Sequence, residues 1–294
     1  MHWEKRWFQY SVLLLLAFVW GSSFILMKIG LKSFSSNQVA AIRILTASLV
    51  LLPISIKNLK HLKRKDLKSL LIAGFIGTFI PAFLFTKAQT RIDSSLAGML
   101  NSVTPVFAMI VGILFYKAKT GWMQITGLFL GLLGAVWLIS LGDEVSIRNI
   151  NPYALFIVLA TIFYGTNVNV IKSTLTHLTG AQITSLSFMF LWPVALAYLL
   201  TTDFNPVFQN PGWPLHLLAI AALGIIGTAL AMLLMNSLIR YTSAVYATSV
   251  TYIIPIFAIA WGIIDGERIT LLHIACMAII LVGVYLTNRK KIEE

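Results

Sequence analysis

The stretch SSLAGMLNSVTPVFAMIVGILF, residues 94–115, returns in altered form within SAVYATSVTYIIPIFAIAWGIIDGERIT, residues 243–270, and this pairing decides the fold. Pro105 stands 150 positions before Pro255. The same offset brings Gly74 onto Gly224, Gly77-Thr78 onto Gly227-Thr228 and Ala97 onto Ala247. It also brings Phe107-Ala108 onto Phe257-Ala258, Gly112 onto Gly262 and Thr120 onto Thr270. Nearer the N-terminus the offset is 144: Gly21 meets Gly165, Lys28 meets Lys172 and Gln38 meets Gln182. One match in apolar sequence means little, but a register held through three segments marks an internal repeat. It divides the chain into 1–142 and 152–294.

Composition sets the solvent. Of 294 residues, 58% are hydrophobic and only 11% charged, whereas a soluble domain carries about a quarter charged residues. A core of this length cannot hide so much apolar surface, so the bilayer is the expected partner of the outer faces. Disordered, collagen-like and disulfide-scaffold classes are excluded by the same figures. The single cysteine, Cys276, lies in an apolar run, which excludes an intrachain disulfide and a thiolate metal site. No metal and no cofactor is expected.

A span needs about 20 mostly apolar residues. Ten segments qualify: 10–30, 38–56, 69–87, 93–115, 121–141, 152–172, 181–201, 215–239, 244–264 and 271–287. They leave short connections and no room for a soluble domain. Lys5 and Arg6 before the apolar run from Val12 resemble a signal sequence, but no small-residue cleavage site follows and Trp20 and Phe24 continue the run. It reads as an uncleaved first span.

Charge gives the orientation. Lys plus Arg number 22 against 10 Asp plus Glu, a net charge of +12. Placing the N-terminus inside collects Lys5, Arg6, Lys117, Lys119, Lys172, Arg240, Arg289, Lys290, Lys291 and the whole basic loop 57–68 on the cytoplasmic face. Asp93, Asp143, Glu144, Asp203, Asp265 and Glu267 then lie outside. By the excess of Lys and Arg on cytoplasmic loops, both termini are expected in the cytoplasm. Trp7, Tyr10, Tyr116, Trp122, Tyr153 and Trp213 fall near span ends, as interfacial aromatics should.

Five spans per half is an odd number, so the second half enters the membrane with opposite polarity. Loop charge agrees: 57–68 holds Lys57, Lys60, Lys63, Arg64, Lys65 and Lys68, while its counterpart 202–214 holds no Lys or Arg and has Asp203. Lys117 and Lys119 fall opposite Glu267 and Ile269. The expected architecture is an all-α integral membrane protein with ten transmembrane helices in a 5+5 inverted repeat. Such a repeat places a pseudo-two-fold axis in the membrane plane, and a site at the repeat interface can be exposed to either side by nearly equivalent rearrangements.

The strings WGSSF (20–24) with its echo YGTNV (164–168), RILTASLVLLP (43–53), SSLAGMLNSVTPVFAMIVGILF (94–115), GLFLGLLGAVWL (127–138) and residues 243–270 resemble the EamA domain, in two tandem copies. The chain is thereby similar to the drug/metabolite transporter (DMT) superfamily over nearly its whole length. The resemblance implies a central cavity between two five-helix units, peripheral spans 5 and 10, and export or exchange of small metabolites, amino acids or related compounds first among them. One departure stands out. The acidic residue that the resemblance leads one to expect after span 4 is replaced by Lys117-Ala118-Lys119, although Gly266-Glu267-Arg268 keeps it after span 9. A topological role suffices for Glu267.

Candidate site residues follow from what lipid tolerates. Pro105 and Pro255 each free the carbonyl four residues earlier, on Asn101 and Thr251. A freed carbonyl in lipid must find a partner or line a wet cavity. Asn101, Thr104, Thr248, Thr251 and Tyr252 cluster there and make spans 4 and 9 the expected cavity wall; interhelical hydrogen bonding without a ligand is the plainer reading of each. In spans 1 and 6, Trp20, Ser22 and Ser23 stand against Tyr164, Thr166 and Asn167, either facing substrate or packing small residues beneath an aromatic plug. Gly77 and Gly227, with Gly74 and Gly224, read as packing or hinge positions. Arg43, inside span 2, can bind a substrate carboxylate or phosphate, or snorkel to the interface. Lys28 and Lys87 sit close enough to span ends that snorkelling is expected, and His177, His216 and His273 read as interfacial.

No Asp or Glu lies well inside any span, so facilitated exchange or uniport is expected rather than a proton relay. A lipid-like amphiphile flippase is the alternative that the same fold admits. A membrane-embedded enzyme is less favoured, because no HExxH, GxSxG or P-loop pattern occurs. A channel would want a filter sequence or a ring of like residues. Expected partners are the lipid bilayer of a bacterial cytoplasmic (plasma) membrane and a small-molecule substrate, with no nucleic acid; a homodimer through the peripheral helices is left open.

Overall fold

The computed structural model describes residues 5–118, 120–141, 151–242 and 250–288. Every regular element among them is helical. In chain order these are α1 (Arg6–Gly30), α2 (Ser36–Asn58), α3 (Leu67–Gly74), α4 (Ile80–Ala88), α5 (Ser94–Asn101), α6 (Thr104–Tyr116), α7 (Trp122–Ile139) and α8 (Pro152–Thr174). They continue as α9 (Gly180–Met189), α10 (Trp192–Thr201), the single turn α11 (Asn205–Phe208), α12 (Trp213–Gly224), α13 (Ala231–Tyr241), α14 (Val250–Ile264) and α15 (Leu271–Asn288). Eight helical runs are long and apolar enough to cross a membrane, from Arg6–Gly30 to Trp213–Leu238, and Val250–Ile264 and Leu271–Thr287 are shorter apolar helices.

Local sequence explains the ends of several runs. Ser35 accepts from the Gln38 amide while the Gln38 side chain reaches back to the Ser35 amide at 2.9 Å, a capping box that starts α2. Thr179 and Gln182 repeat it at the start of α9, with the return bond at 2.8 Å. Two runs widen midway: Phe75–Phe79 joins α3 to α4, and Ile225–Leu230 joins α12 to α13, each as a π-helical turn with i→i+5 bonding. Both turns contain a Gly-Thr pair, at 77–78 and 227–228.

Helices meet where side chains are missing. A Cβ on Gly21 would lie 2.8 Å from the Ile254 carbonyl, and one on Gly165 would lie 2.6 Å from the Ala108 amide nitrogen, so α1 seats on α14 and α8 on α6 backbone to backbone. A Cβ on Gly74 would lie 3.1 Å from the Ser187 carbonyl, and one on Gly224 would lie 2.6 Å from the Arg43 carbonyl. Gly127, Gly131 and Gly134 of α7 press on α15 around Gly283 and Ile280, which binds these two helices to each other. The remaining face of α7 is apolar and exposed through Phe129, Leu133 and Trp137. An apolar surface of that kind is stable only against hydrocarbon or another apolar surface.

Polar groups fasten the two ends of the bundle. At the end where α1 finishes, Lys28 pairs with Asp265 at 2.6 Å and with Glu267 at 2.8 Å. The Glu267 side chain is 2% exposed and also accepts the Ser94 and Ser95 amides and the Ser95 hydroxyl, at 2.9, 3.0 and 2.6 Å. It therefore caps α5 from a distant part of the chain, with a carboxylate where the helix dipole favours one. Burial opposes ionisation there, but the bonds from Lys28, Ser95 and Ser94 outweigh it and hold the Glu267 carboxyl below the ordinary range. Neighbouring Asp93 is pushed the other way, by burial and by the Glu267 charge.

These contacts correct two expectations. Lys28 does not simply snorkel, since two carboxylates hold it, and Glu267 is more than an orientation signal, since it ties α1, α5 and the α14–α15 turn together. The pairing of Lys117 with Glu267 also shifts by one. The left-handed residue that ends the helix is Lys117 (φ 53°) in one half and Gly266 (φ 82°) in the other, which sets Glu267 opposite Ala118. His216, read as interfacial, bonds Ser33 at 2.6 Å. At the opposite end of the bundle, His177 bonds the buried Asp66 at 3.0 Å and Asn58 donates to Ser185 at 3.0 Å.

Candidate functional site

Between these fastened ends lies a cavity of about 200 Å³. Its walls come from α1, α2, the run through α3 and α4, α5, α6, α8, the run through α12 and α13, and α14. Neither α7 nor α15 contributes. Of the residues singled out in the sequence, Trp20, Ser23, Arg43, Asn101, Thr104, Tyr164, Asn167 and Thr251 line it, together with Gly77 and Gly227.

Others do not. Ser22 turns to Trp261, whose indole nitrogen donates to it at 2.8 Å, and Thr166 bonds the Ile162 carbonyl within its own helix at 2.9 Å. Tyr252 donates to the Val284 carbonyl at 2.9 Å, which fastens α14 to α15. Thr248 lies outside the described residues. The two carbonyls left unbonded by proline are engaged by hydroxyls: Thr104 donates to Asn101 at 2.7 Å, and Ser102 donates to Thr251 at 3.2 Å. Pro105 and Pro255 thus shape their helices, and the Thr251 carbonyl takes part in a bond between helices while the residue also lines the cavity. Pro105 stands at the start of α6, just after the break at Ser102-Val103, whereas Pro255 lies inside the continuous α14.

The wide turns position the polar groups. Thr228, in the second wide turn, donates to the Leu223 carbonyl at 3.0 Å and accepts from Arg43 Nε at 2.8 Å. That bond fixes the guanidinium in the wall, with Nη1 toward the Met27 sulfur at 3.9 Å. In the first wide turn, Gly77 leaves the space that the Asn167 side chain fills, and in the second Ser23 sits against Gly227 in the corresponding place. Asn167 is 7% exposed, and its amide oxygen has no hydrogen-bond partner. Trp20 donates to the Gly227 carbonyl at 3.1 Å, and Tyr164 stacks on Phe85 with ring centroids 6.0 Å apart. The walls are thus mainly aromatic and aliphatic, with few fixed polar groups, as small-molecule sites are.

The sequence reading missed Phe85, Met232, Met235, Asn236 and Lys172, which complete the wall. Thr78 and Thr228 had a signal in the repeated Gly-Thr pair. Asn236 had none, because a polar residue near a span end resembles an ordinary interface residue, and Lys172 showed only as the repeat partner of Lys28. Lys172 is exposed and lines the cavity close to the C-terminal end of α8. Arg43, in the first half of α2, reaches across to the second wide turn.

Comparison with known proteins gives the family and the fold. The family model described as "EamA-like transporter family" matches residues 7–140 and again 151–289. An uncharacterized transporter of Archaeoglobus fulgidus is 26% identical over 289 residues, which cover 98% of this chain and all of the relative. The uncharacterized inner membrane transporter YedA of Escherichia coli K12 is 25% identical, over 96% of this chain and 91% of its own length. A probable terminal-alkyne amino-acid exporter of Streptantibioticus cattleyicolor is 21% identical over 95% and 92% of the two chains. A solved crystal structure superposes with a TM-score of 0.64 at 13% identity, covering 96% of each chain, a likeness of fold. With its pattern matched twice over an all-helical, membrane-crossing chain, the protein belongs to the EamA-like transporter family.

Proposed function

We propose that the protein is a secondary transporter that exports or exchanges small metabolites, amino acids or compounds related to them, by alternating access. The observation that carries this reading is the cavity, enclosed in an apolar bundle and walled from both halves of the chain. The halves are 1–142 and 152–294, five spans each, related as an inverted repeat. The reciprocal seats of Gly21 and Gly165, the two capping boxes and the two wide turns support that relation. Two such units can rock about a shared site and open it to either face. A relative named as an amino-acid exporter supports the substrate range. Both termini face the cytoplasm of a bacterial cell in this reading, and the sequence pattern of basic loops supports it. With no carboxylate among the described residues that line the cavity, transport in this reading is exchange or uniport without a carboxylate relay.

Metabolite profiling of medium from overexpressing and deleted cells tests the activity: one small-metabolite class accumulates outside in the first and is depleted in the second. Unchanged medium in both, with the protein present in the membrane, sinks the reading. Reporter fusions at residue 294 and in loop 202–214 test the topology, and an extracytoplasmic C-terminus refutes it.

A further inference from the structure

The cavity's charge is one-sided. Arg43 and Lys172 both line the cavity, and among the described residues no carboxylate does. Arg43 has only neutral partners, the Thr228 hydroxyl and the Met27 sulfur, although its planar fork is built to hold a carboxylate through two parallel bonds. A buried cation without a counter-ion is costly, and an anionic ligand relieves that cost. Asn167 lines the same cavity, more than nine-tenths buried and packed against Gly77, with a buried amide oxygen that bonds nothing. A buried amide left in that state costs about 1–3 kcal/mol, which a neutral hydroxyl or amide of a ligand recovers. The stacked Tyr164 and Phe85 rings supply an apolar wall.

A free ammonium finds no such reception. Among the described residues no carboxylate lines the wall, and the two carbonyls freed by proline are already engaged by Thr104 and Ser102, so the Asn167 amide oxygen offers it a neutral acceptor but no charge to pair with. Arg43 and Lys172 repel it besides.

We propose that the cavity binds an organic monocarboxylate that carries a neutral hydroxyl or amide in place of a free ammonium, a 2-hydroxy or N-acylated relative of an amino acid with an apolar side chain. Arg43 holds the carboxylate, Asn167 takes the neutral polar group, and Lys172 draws the anion in. This rests on the cavity being the substrate site of the transporter described above, and it narrows the substrate from amino acids to their amine-free or amine-blocked acids.

The test is binding to the purified full chain in detergent, by calorimetry, with ligands that share a side chain and differ in charge. One set is 3-phenyllactate, 3-phenylpropionate, phenylalanine and phenethylamine; the other is 2-hydroxyisocaproate, 4-methylvalerate, leucine and isoamylamine. In at least one set the hydroxy acid binds on the order of tenfold more tightly than the zwitterion, and the amine does not bind. Arg43→Gln lowers hydroxy-acid affinity on the order of tenfold or more, while Asn167→Ala removes the advantage of the hydroxy acid over its deoxy analogue and leaves the analogue's own affinity in place. Equal or tighter binding of the amino acid or amine, no binding of either hydroxy acid, or an Arg43→Gln protein with unchanged affinity overturns the proposal. If Arg43→Gln does not fold, the charge series on the wild-type chain decides alone. Flux in proteoliposomes separates the two readings. Arg43-dependent binding without flux sinks transport and leaves the anion site, whereas phenylalanine or leucine flux that excess hydroxy acid does not inhibit sinks the anion site and leaves transport.

Discussion

The two wide turns share a shape but not their neighbours. Around Gly77 the space is taken by Asn167, and around Gly227 it is taken by Ser23. Across the same correspondence, Arg43 in α2 stands opposite Ser187 in α9, and the buried Ser187 hydroxyl has no partner. Trp20 stands opposite Tyr164. Glycines, caps and turn geometry recur between the halves, while the polar groups that touch the cavity differ. Recurrence therefore marks what holds the helices together, and divergence falls on the polar groups of the proposed site. A two-fold symmetric cavity would place the same chemistry on both walls, and this one keeps its guanidinium on one side only.

The sharpest way to break that comparison is to fill a recurring glycine. Gly21→Val and Gly165→Val each drive a branched side chain into backbone atoms of the partner helix. Both should lose several kcal/mol, above the usual 1–3 kcal/mol of overpacking because backbone cannot step aside. Thermal unfolding in detergent, or folded yield, checks it. Tolerance of one member of the pair and not the other would end the equivalence of the two seats.

Next in size is the carboxylate at the α14–α15 turn. Glu267→Gln removes the charge that Lys28 and two helix-terminal amides bond, for a cost of about 2 kcal/mol. Its counterpart Ala118 is exposed, and Ala118→Ser should stay within about 0.5 kcal/mol. Melting of the two variants side by side reads the difference between the halves directly.

Acid sharpens the same contrast. The Glu267 carboxyl is held below its ordinary range, so the unfolded chain binds the proton first as pH falls. Its stabilisation is complete above the ordinary carboxylate range and is lost as pH drops through that range toward the lowered folded value. Asp93, shifted upward, contributes with the opposite sign. Wild-type protein should lose more of its melting temperature on acidification than Glu267→Gln does, and equal losses would show that the carboxylate is not the group responsible.

The smallest effect belongs to Ser187→Ala. An unpartnered buried hydroxyl contributes no bond to lose, so its removal should leave stability unchanged or raise it by up to about 1 kcal/mol. A clear loss in the melting assay would show that Ser187 holds something in a state other than this one.

Much of the frame was legible because lipid makes simple demands. Apolar runs of the needed length located eight long helical runs among the described residues to within a few residues, and Gly21, Gly165, Gly74 and Gly224 were visible as repeated small residues. The cavity was legible in part. Asn101, Thr104, Arg43 and Asn167 stood out as polar groups in apolar runs, but Ser22, Thr166 and Tyr252 were indistinguishable from them and found partners elsewhere. Which side of a helix faces a cavity rather than a neighbour depends on packing between segments far apart in sequence. The wide turns were hidden for a related reason: Gly-Thr signals a tight approach, and nothing local tells that a turn holds one residue more than its neighbours.

That extra residue gives the chain two places where it can be shortened. Elsewhere in a membrane helix, loss of one residue rotates everything beyond it by about 100° and turns buried faces toward lipid. Within Phe75–Phe79 or Ile225–Leu230, the same loss restores an ordinary helix and leaves the flanking segments facing as before. A single-codon deletion scan should therefore find tolerance at these two turns in otherwise forbidden spans. What disappears with the deleted residue is the curve of wall against which Asn167 and Arg43 rest, so such a chain would assemble around a reshaped cavity.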